Sequence, residues 1–184
     1  MSVAVLVSGA GSNLRALLAA GTEVVAVASD KPGAGGLAIA EAAGVPTRAF
    51  PISEYADRQA RDTAIADWVS ELGADTVVTA GYMAILTPAF IARFSGRIVN
   101  VHPSLLPSFP GIRAIEQALD HGVKVTGVTV HLVDEGVDTG RILLQEAVAI
   151  PDGASVDELH ALLQPVEHRL LPEAVARIAA APIT

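Results

Sequence analysis

Apolar residues in this chain fall into short β-branched runs separated by stretches with helical spacing, and the two kinds of segment alternate from the start. Val3–Val7 is an unbroken apolar run, which reads as a strand buried on both faces. It breaks at Ser8-Gly9-Ala10-Gly11-Ser12-Asn13, and Leu14–Ala20 then reads as a helix that Ser12 or Asn13 can cap. Glu23–Ser29 reads as a second strand. Gly36–Ala43 reads as a short helix closed by Gly44, with Pro46 barring its continuation, and Thr47–Phe50 as a third strand. Across Tyr55–Leu72 the residues Ala60, Ala64, Ile65, Trp68, Val69 and Leu72 recur at helical spacing, with charges between them. Thr76–Thr79 is a fourth strand. Pro88–Phe94 is a short helix with proline in its first turn. Arg97–His102 is a fifth strand stopped by Pro103, and Ile112–His121 is a helix ended by Gly122. Thr126–Leu132 and Arg141–Ala149 are strands with only a loop between them. Val156–Ala180 is a long helical stretch that Pro165 and Pro172 should break or kink.

Strands alternating with helices predict a three-layer α/β domain around a mostly parallel sheet. The last two strands lack a crossover helix and should pair antiparallel, giving a mixed sheet towards the C-terminal end. No repeat, low-complexity tract or shift in composition divides residues 1–184, so one domain is expected.

Composition narrows the function classes. Hydrophobic residues make up 51% and charged residues 17%, which predicts a folded chain with a sizeable core. A net charge of −8 argues against a general nucleic-acid binder or an anionic-membrane ligand, though not against a local pocket for one phosphate. With no cysteine there is no disulfide, thiolate metal site or cysteine nucleophile. The first residues carry no basic leader, and glycines and charges interrupt every apolar run before it could span a bilayer. A soluble cytoplasmic protein is expected.

The candidate chemistry lies at strand ends. In Arg97-Ile98-Val99-Asn100-Val101-His102-Pro103, alternate residues share a face, so Asn100 and His102 stand side by side where the strand stops. Ligands of open α/β sheets bind at the carboxyl ends of strands. The strand–glycine turn–helix of Val7–Leu14 can place helix N-terminal amides on an anion. It lacks the third glycine of a dinucleotide fingerprint and the Gly-Lys-Ser/Thr of a Walker loop, so a phosphomonoester fits it better. Ala80-Gly81-Tyr82-Met83-Ala84-Ile85-Leu86 is an apolar loop, which either packs as core or walls an apolar pocket. Val133–Gly140 carries Asp134, Glu135 and Asp138 but lacks the ligand set of a calcium loop, and no histidine pairing suggests a metal. Without a nucleophile elbow, what remains is acid/base and electrostatic work by Asn, His and Asp.

On these residues the sequence resembles the glycinamide ribonucleotide formyltransferase family. Ser8-Gly9-Ala10-Gly11-Ser12-Asn13-Leu14 is similar to the family's phosphate loop. Asn100-Val101-His102-Pro103-Ser104-Leu105-Leu106-Pro107 is similar to its catalytic core, and Val130–Gly140 to its aspartate loop. The core piece alone also resembles methionyl-tRNA formyltransferase and formyltetrahydrofolate deformylase. The former has an extra C-terminal domain and the latter an extra N-terminal one, and 184 residues leave no room for either.

The resemblance implies a Rossmann-like formyltransferase fold. Its N-terminal half would hold the ribonucleotide, and its C-terminal half the folate and the catalytic residues. It implies transfer of a formyl group from 10-formyltetrahydrofolate, a cosubstrate, to the amine of glycinamide ribonucleotide in de novo purine biosynthesis, with no metal. Carried over, Asn100, His102 and Asp138 are catalytic. Gly11, Ser12, Asn13 and Glu167 contact the ribonucleotide. Arg58, Met83, Ala84, Ile85, Leu86, Asn100 and Val133 contact the folate. Partners are the two small-molecule substrates, with a homodimer as a compatible assembly. Ala84 departs from the pattern, since many relatives carry arginine there. The competing readings are a formyltetrahydrofolate hydrolase, which needs no phosphate loop, and a non-catalytic binding module, which needs no acid/base pair.

Overall fold

In a computed structural model describing residues 1–180, seven strands form one sheet in the order β3-β2-β1-β4-β5-β6-β7. The last residues of the domain expected over 1–184 lie outside that range. The strands are β1 Val3–Val7, β2 Val24–Ser29, β3 Thr47–Ala49, β4 Thr76–Thr79, β5 Ile98–His102, β6 Val125–Leu132 and β7 Ile142–Ala149. The first five pair parallel, and β6 pairs antiparallel with both β5 and β7. This is the mixed α/β sheet the pattern predicts. The helices are α1 Ser12–Ala19, α2 Gly35–Ala42, α3 Arg58–Glu71, α4 Pro88–Arg93, α5 Ala114–His121 and α6 Val156–Ala180, with a short 3-10 turn at Ile52–Glu54.

Each face of the sheet has its own core. Val3, Val5 and Val7 of β1 point into one, with Leu14 and Leu17 of α1, Ile115 of α5, and Leu159, Leu163 and Leu171 of α6. Ala4 and Leu6, on the alternate positions, point into the other with Phe50, Ile65, Phe90 and Phe94. Burial on both faces is why β1 reads as an uninterrupted apolar run. The chain leaves β1 towards β2 on one side and has β4 on the other. The carboxyl ends of β1 and β4 therefore flank a topological switch point, where doubly wound sheets open a crevice.

Two expectations change. Neither Ser12 nor Asn13 caps α1: the helix begins at Ser12, Gly11 holds the cap position in a left-handed conformation, and no side chain bonds the exposed amides. The region after residue 156 is not broken. α6 runs continuously through Pro165 and Pro172, although each proline removes one helical N–H. It packs against α1, α5, β5, β6 and β7, burying Leu159, Leu163, Leu170, Leu171, Ala174 and Val175. That tertiary burial outweighs two missing backbone hydrogen bonds. Several ends also shift by one to three residues; α3, for example, starts at Arg58 behind Asp57, whose carboxylate accepts from the Ala60 amide at 2.8 Å.

Candidate active site

A cleft of about 740 Å³ opens at the carboxyl ends of β1, β4 and β5. Gly11, Ser12, Asn13, Met83, Ala84, Ile85, Leu86, Asn100, His102, Val133, Asp138 and Glu167 all line it. Residues far apart in sequence are thus brought to one place. Arg58 is the exception, exposed at the start of α3 and outside the lining.

The polar centre is built around Asp138. Its Oδ2 lies 3.3 Å from Nδ1 of His102 and accepts from the Gly111 amide at 2.7 Å. Its Oδ1 lies 3.5 Å from both Asn100 Nδ2 and His131 Nε2. Asp138 adopts a left-handed φ of 54°, which Asp tolerates better than most residues. Burial works against ionising this carboxyl. The hydrogen bonds from His131 and the Gly111 amide, with the nearby His102 and His131 charges, outweigh it and hold the carboxyl below its ordinary range. Asp138 is therefore a carboxylate at neutral pH.

The partners are oriented in turn. Nε2–H of His102 donates to the Phe109 carbonyl at 2.8 Å, which fixes a proton on that nitrogen because a carbonyl can only accept. Asn100 is placed by β4: Thr79 Oγ1 donates to Asn100 Oδ1 at 2.7 Å, which turns the amide NH2 towards Asp138 and His131. Nδ1–H of His131 donates to the Leu132 carbonyl at 2.8 Å, so its Nε2 faces Asn100 and Asp138. The sequence pattern puts His131 on a strand and gives it no role. The antiparallel register, which sets Asn100 directly opposite His131, is what brings it in. Thr79 and the Gly111 amide also have no sequence signature.

Beneath His102, Thr129 organises the following loop. Its Oγ1 donates to the Ser104 carbonyl at 2.7 Å and accepts from the Leu106 amide at 3.1 Å. Gln145 Nε2 reaches the Leu106 carbonyl and Thr129 Oγ1, both at 2.9 Å. These bonds hold the Ser104–Pro107 segment that the sequence marks only by its prolines.

At the β1 end, Gly11 has φ 79°, and a Cβ added there would stand 2.5 Å from the Gly36 Cα. The first turns of α1 and α2 meet at this contact. Gly11→Ala should therefore destabilise the fold by roughly 2 kcal/mol or more, combining left-handed strain with a backbone clash. A chemical-denaturation midpoint would test this, and an unchanged midpoint would mean that the close approach relaxes freely. No side chain caps the Ser12–Leu14 amides, and Ser12 and Asn13 line the cleft. Asn13 Nδ2 donates to Glu167 Oε2 at 2.9 Å, while its buried Oδ1 has no partner among the described residues.

The apolar loop after β4 does both things its composition allows. Ala80 and Leu86 are buried, whereas Met83 and Ile85 are 63% exposed and line the cleft. It is held at both ends: the Met83 amide donates to Ser8 Oγ at 2.8 Å, and the Thr87 amide to Asp62 Oδ2 at 2.8 Å. Asp62 is itself buried against Arg61. Ser8 Oγ in turn donates to Asp30 Oδ1 at 2.6 Å, tying the β1 and β2 loops together. In the Val133–Gly140 loop, Asp134 accepts from the Gly136 amide and Thr139 Oγ1, and so shapes the turn that presents Asp138.

The sequence matches the formyl transferase family over residues 1–175. It is 45% identical over 185 residues to a phosphoribosylglycinamide formyltransferase of Mycobacterium tuberculosis, covering 98% of this chain and 86% of that protein. It is 46% identical to the trifunctional purine biosynthetic protein adenosine-3 of Bos taurus over 96% of this chain; the chain spans only 18% of that longer protein. The structure superposes with a TM-score of 0.96 on the glycinamide ribonucleotide transformylase 1 of Symbiobacterium toebii, at 43% identity, covering 98% of this chain and 88% of that one. It superposes with a TM-score of 0.92 on the phosphoribosylglycinamide formyltransferase of Brucella melitensis, at 46% identity, covering 100% of this chain and 97% of that one.

Proposed function

This chain belongs to the formyl transferase family, and from that premise we propose that it moves the formyl group of 10-formyltetrahydrofolate onto the amine of glycinamide ribonucleotide. The observation that carries the reading is the convergence of Asn100, His102, His131 and Asp138 at the end of β5, beside an uncapped helix N-terminus in the same cleft.

In the proposed reaction the substrate amine attacks the formyl carbon and the carbonyl electrons move onto oxygen. The C–N bond to the folate then breaks, the folate nitrogen takes up a proton, and the attacking amine gives one up. Asn100 Nδ2 and the His102 N–H are donors suited to the oxyanion, and such preorganised donors are often the largest catalytic contribution. His102 exchanges its Phe109 carbonyl partner for the substrate. Asp138, ionised, favours the cationic imidazole and orients it. His131 and Thr79 position Asn100.

The ribonucleotide phosphate takes the Gly11, Ser12 and Asn13 amides at the head of α1. Glu167, which already accepts from Asn13 Nδ2, accepts from the ribose or amide beyond it. The folate lies along Met83, Ala84, Ile85 and Leu86 with Val133 opposite. Arg58 serves no contact in this reading, being exposed and outside the cleft. The whole reaction stays within one domain.

The test is product formation from 10-formyltetrahydrofolate with glycinamide ribonucleotide, with glycinamide riboside, and with neither. Transfer to the ribonucleotide is expected. The riboside should lose roughly 10²-fold in kcat/KM, because remote phosphate binding also orients the amine. Deformylation of folate at an equal rate without any amine would support the hydrolase instead. Equal use of riboside and ribonucleotide would remove the phosphate from the loop.

A further inference from the structure

The cleft described above is poor in positive charge. Glu116, Asp134, Glu135, Asp138 and Glu167 line it, and among the described residues Arg113 is the one lysine or arginine that does. The chain as a whole carries a net charge of −8. An anionic ligand entering such a cleft meets a repulsive field, so a single local cation weighs heavily on its binding.

Arg113 is also a residue its local structure does not favour. It sits at the N-cap of α5 with φ 62° and ψ 36°, a left-handed conformation that costs a side-chain-bearing residue and that glycine or asparagine would adopt more readily. Its side chain caps nothing. A cation at a helix N-terminus faces the positive end of the helix dipole, which opposes it again. The turn is nonetheless firmly built. The Gly111 amide is bonded to Asp138, the Gln117 amide donates to the Arg113 carbonyl at 2.9 Å, and Gln117 Nε2 donates to the Ile112 carbonyl at 2.9 Å. The guanidinium itself is 69% exposed, and its Nε makes a long 3.4 Å contact with Glu116 Oε1, which leaves the paired terminal nitrogens without a carboxylate. Nothing in the local fold accounts for arginine at this position, whereas its place on the cleft wall does. Residues kept against conformational and electrostatic preference concentrate where a ligand is handled.

α5 lies on the same face of the sheet as α1, with α6 packed against both. A side chain at the head of α5 therefore shares a layer with the Gly11–Asn13 loop, and Asp138 ties its turn to the reacting centre. We propose that Arg113 is a substrate-binding residue whose guanidinium leaves Glu116 to take an oxyanion of a bound substrate. This rests on the formyl-transfer reading for the identity of the substrates. Two of their groups share the required chemistry: the ribonucleotide phosphate and the glutamate carboxylates of the folate. Either can accept two parallel N–H bonds from the planar fork.

The experiment compares wild type with Arg113→Asn, which keeps the left-handed backbone and removes the charge, and with Arg113→Lys. Binding of each substrate is read by calorimetry alongside steady-state kinetics. The affinity ratio thus exists whether or not transfer occurs, and wild-type product formation reports separately on the formyl-transfer reading. Arg113→Asn should weaken one substrate about tenfold in Kd and KM, with kcat within about twofold and thermal stability unchanged or raised. Arg113→Lys should recover part of the loss. Raising salt from about 0.05 to about 0.3 M should weaken wild type more than Arg113→Asn. If the phosphate is the partner, the ribonucleotide is the substrate weakened, and glycinamide riboside binds both proteins alike. If the carboxylates are, 10-formyltetrahydrofolate is weakened and a formylated pteroate lacking glutamate is not. Unchanged affinity for both substrates would overturn the proposal. So would parallel losses in kcat, in both affinities and in thermal stability, which would make Arg113 a purely structural residue.

Discussion

Replacing His102 with alanine should lower kcat by roughly 10²–10⁴-fold, the range that positioned acid/base groups contribute, with a much smaller change in substrate affinity. The imidazole sits at the end of β5, 5% exposed, with one nitrogen on the Phe109 carbonyl and the other facing Asp138. In the proposed reaction its role lies in the transition state, where the amine proton departs and the folate nitrogen gains one, so the loss should fall on the chemical step. The substitution also leaves the Phe109 carbonyl without its donor, at a stability cost of about 1–3 kcal/mol. His102→Asn, which keeps a donor on the strand, separates the two effects: it should recover stability and not rate. Single-turnover measurements on both variants check this. A kcat within tenfold of wild type in a folded His102→Ala protein would remove the imidazole from the mechanism.

Asp138→Asn should cost on the order of 10²-fold in kcat/KM, comparable to losing one transition-state hydrogen-bond donor, because both imidazoles and Asn100 lose the anion that orients them. Asparagine accepts the left-handed φ of 54° at this position, so the backbone should hold. The pH dependence gives a second reading. A carboxyl held below its ordinary value contributes stability that is present above the unfolded-state pKa and is lost as pH falls through the lower folded-state pKa. The carboxyl's own part of the stability difference between wild type and Asp138→Asn should therefore shrink only in acid, below the usual carboxylate range, while any change near neutrality follows the imidazoles whose cationic form the carboxylate favours. By the same logic, an acid limb in wild-type activity near neutrality does not report Asp138. A stability difference that stayed constant down through that acid range would mean that the carboxyl is not held low in the fold.

Among the expected elements, those whose pattern was local came through. β1 reads as an apolar run because both its faces are covered, and the two antiparallel strands at the C-terminal end follow from a connection too short to hold a crossover helix. Ser8–Asn13 and Asn100-Val101-His102 are legible as chemistry because each is a polar interruption where a strand stops, whereas Asp138 is singled out from Asp134 and Glu135 only by the resemblance. What sequence could not supply is whatever depends on two distant segments meeting. His131 joins the site only through its register opposite Asn100, and Thr79 only because β4 lies beside β5. The Gly111 amide matters only because its turn folds back onto Asp138. The resemblance assigns Arg58 to the folate, and the structure places it exposed at the head of α3, outside the cleft lining. The long C-terminal helix shows the same division of labour. Two prolines predict a break or kink, since propensity is local, but the helix runs on without a break because its apolar face is buried against the sheet and two neighbouring helices. Sequence by itself thus determined the order and type of the elements and the residues that end them. Tertiary structure alone decided which polar ends share a cleft, because strand order and register are set by non-local burial that no window of sequence contains.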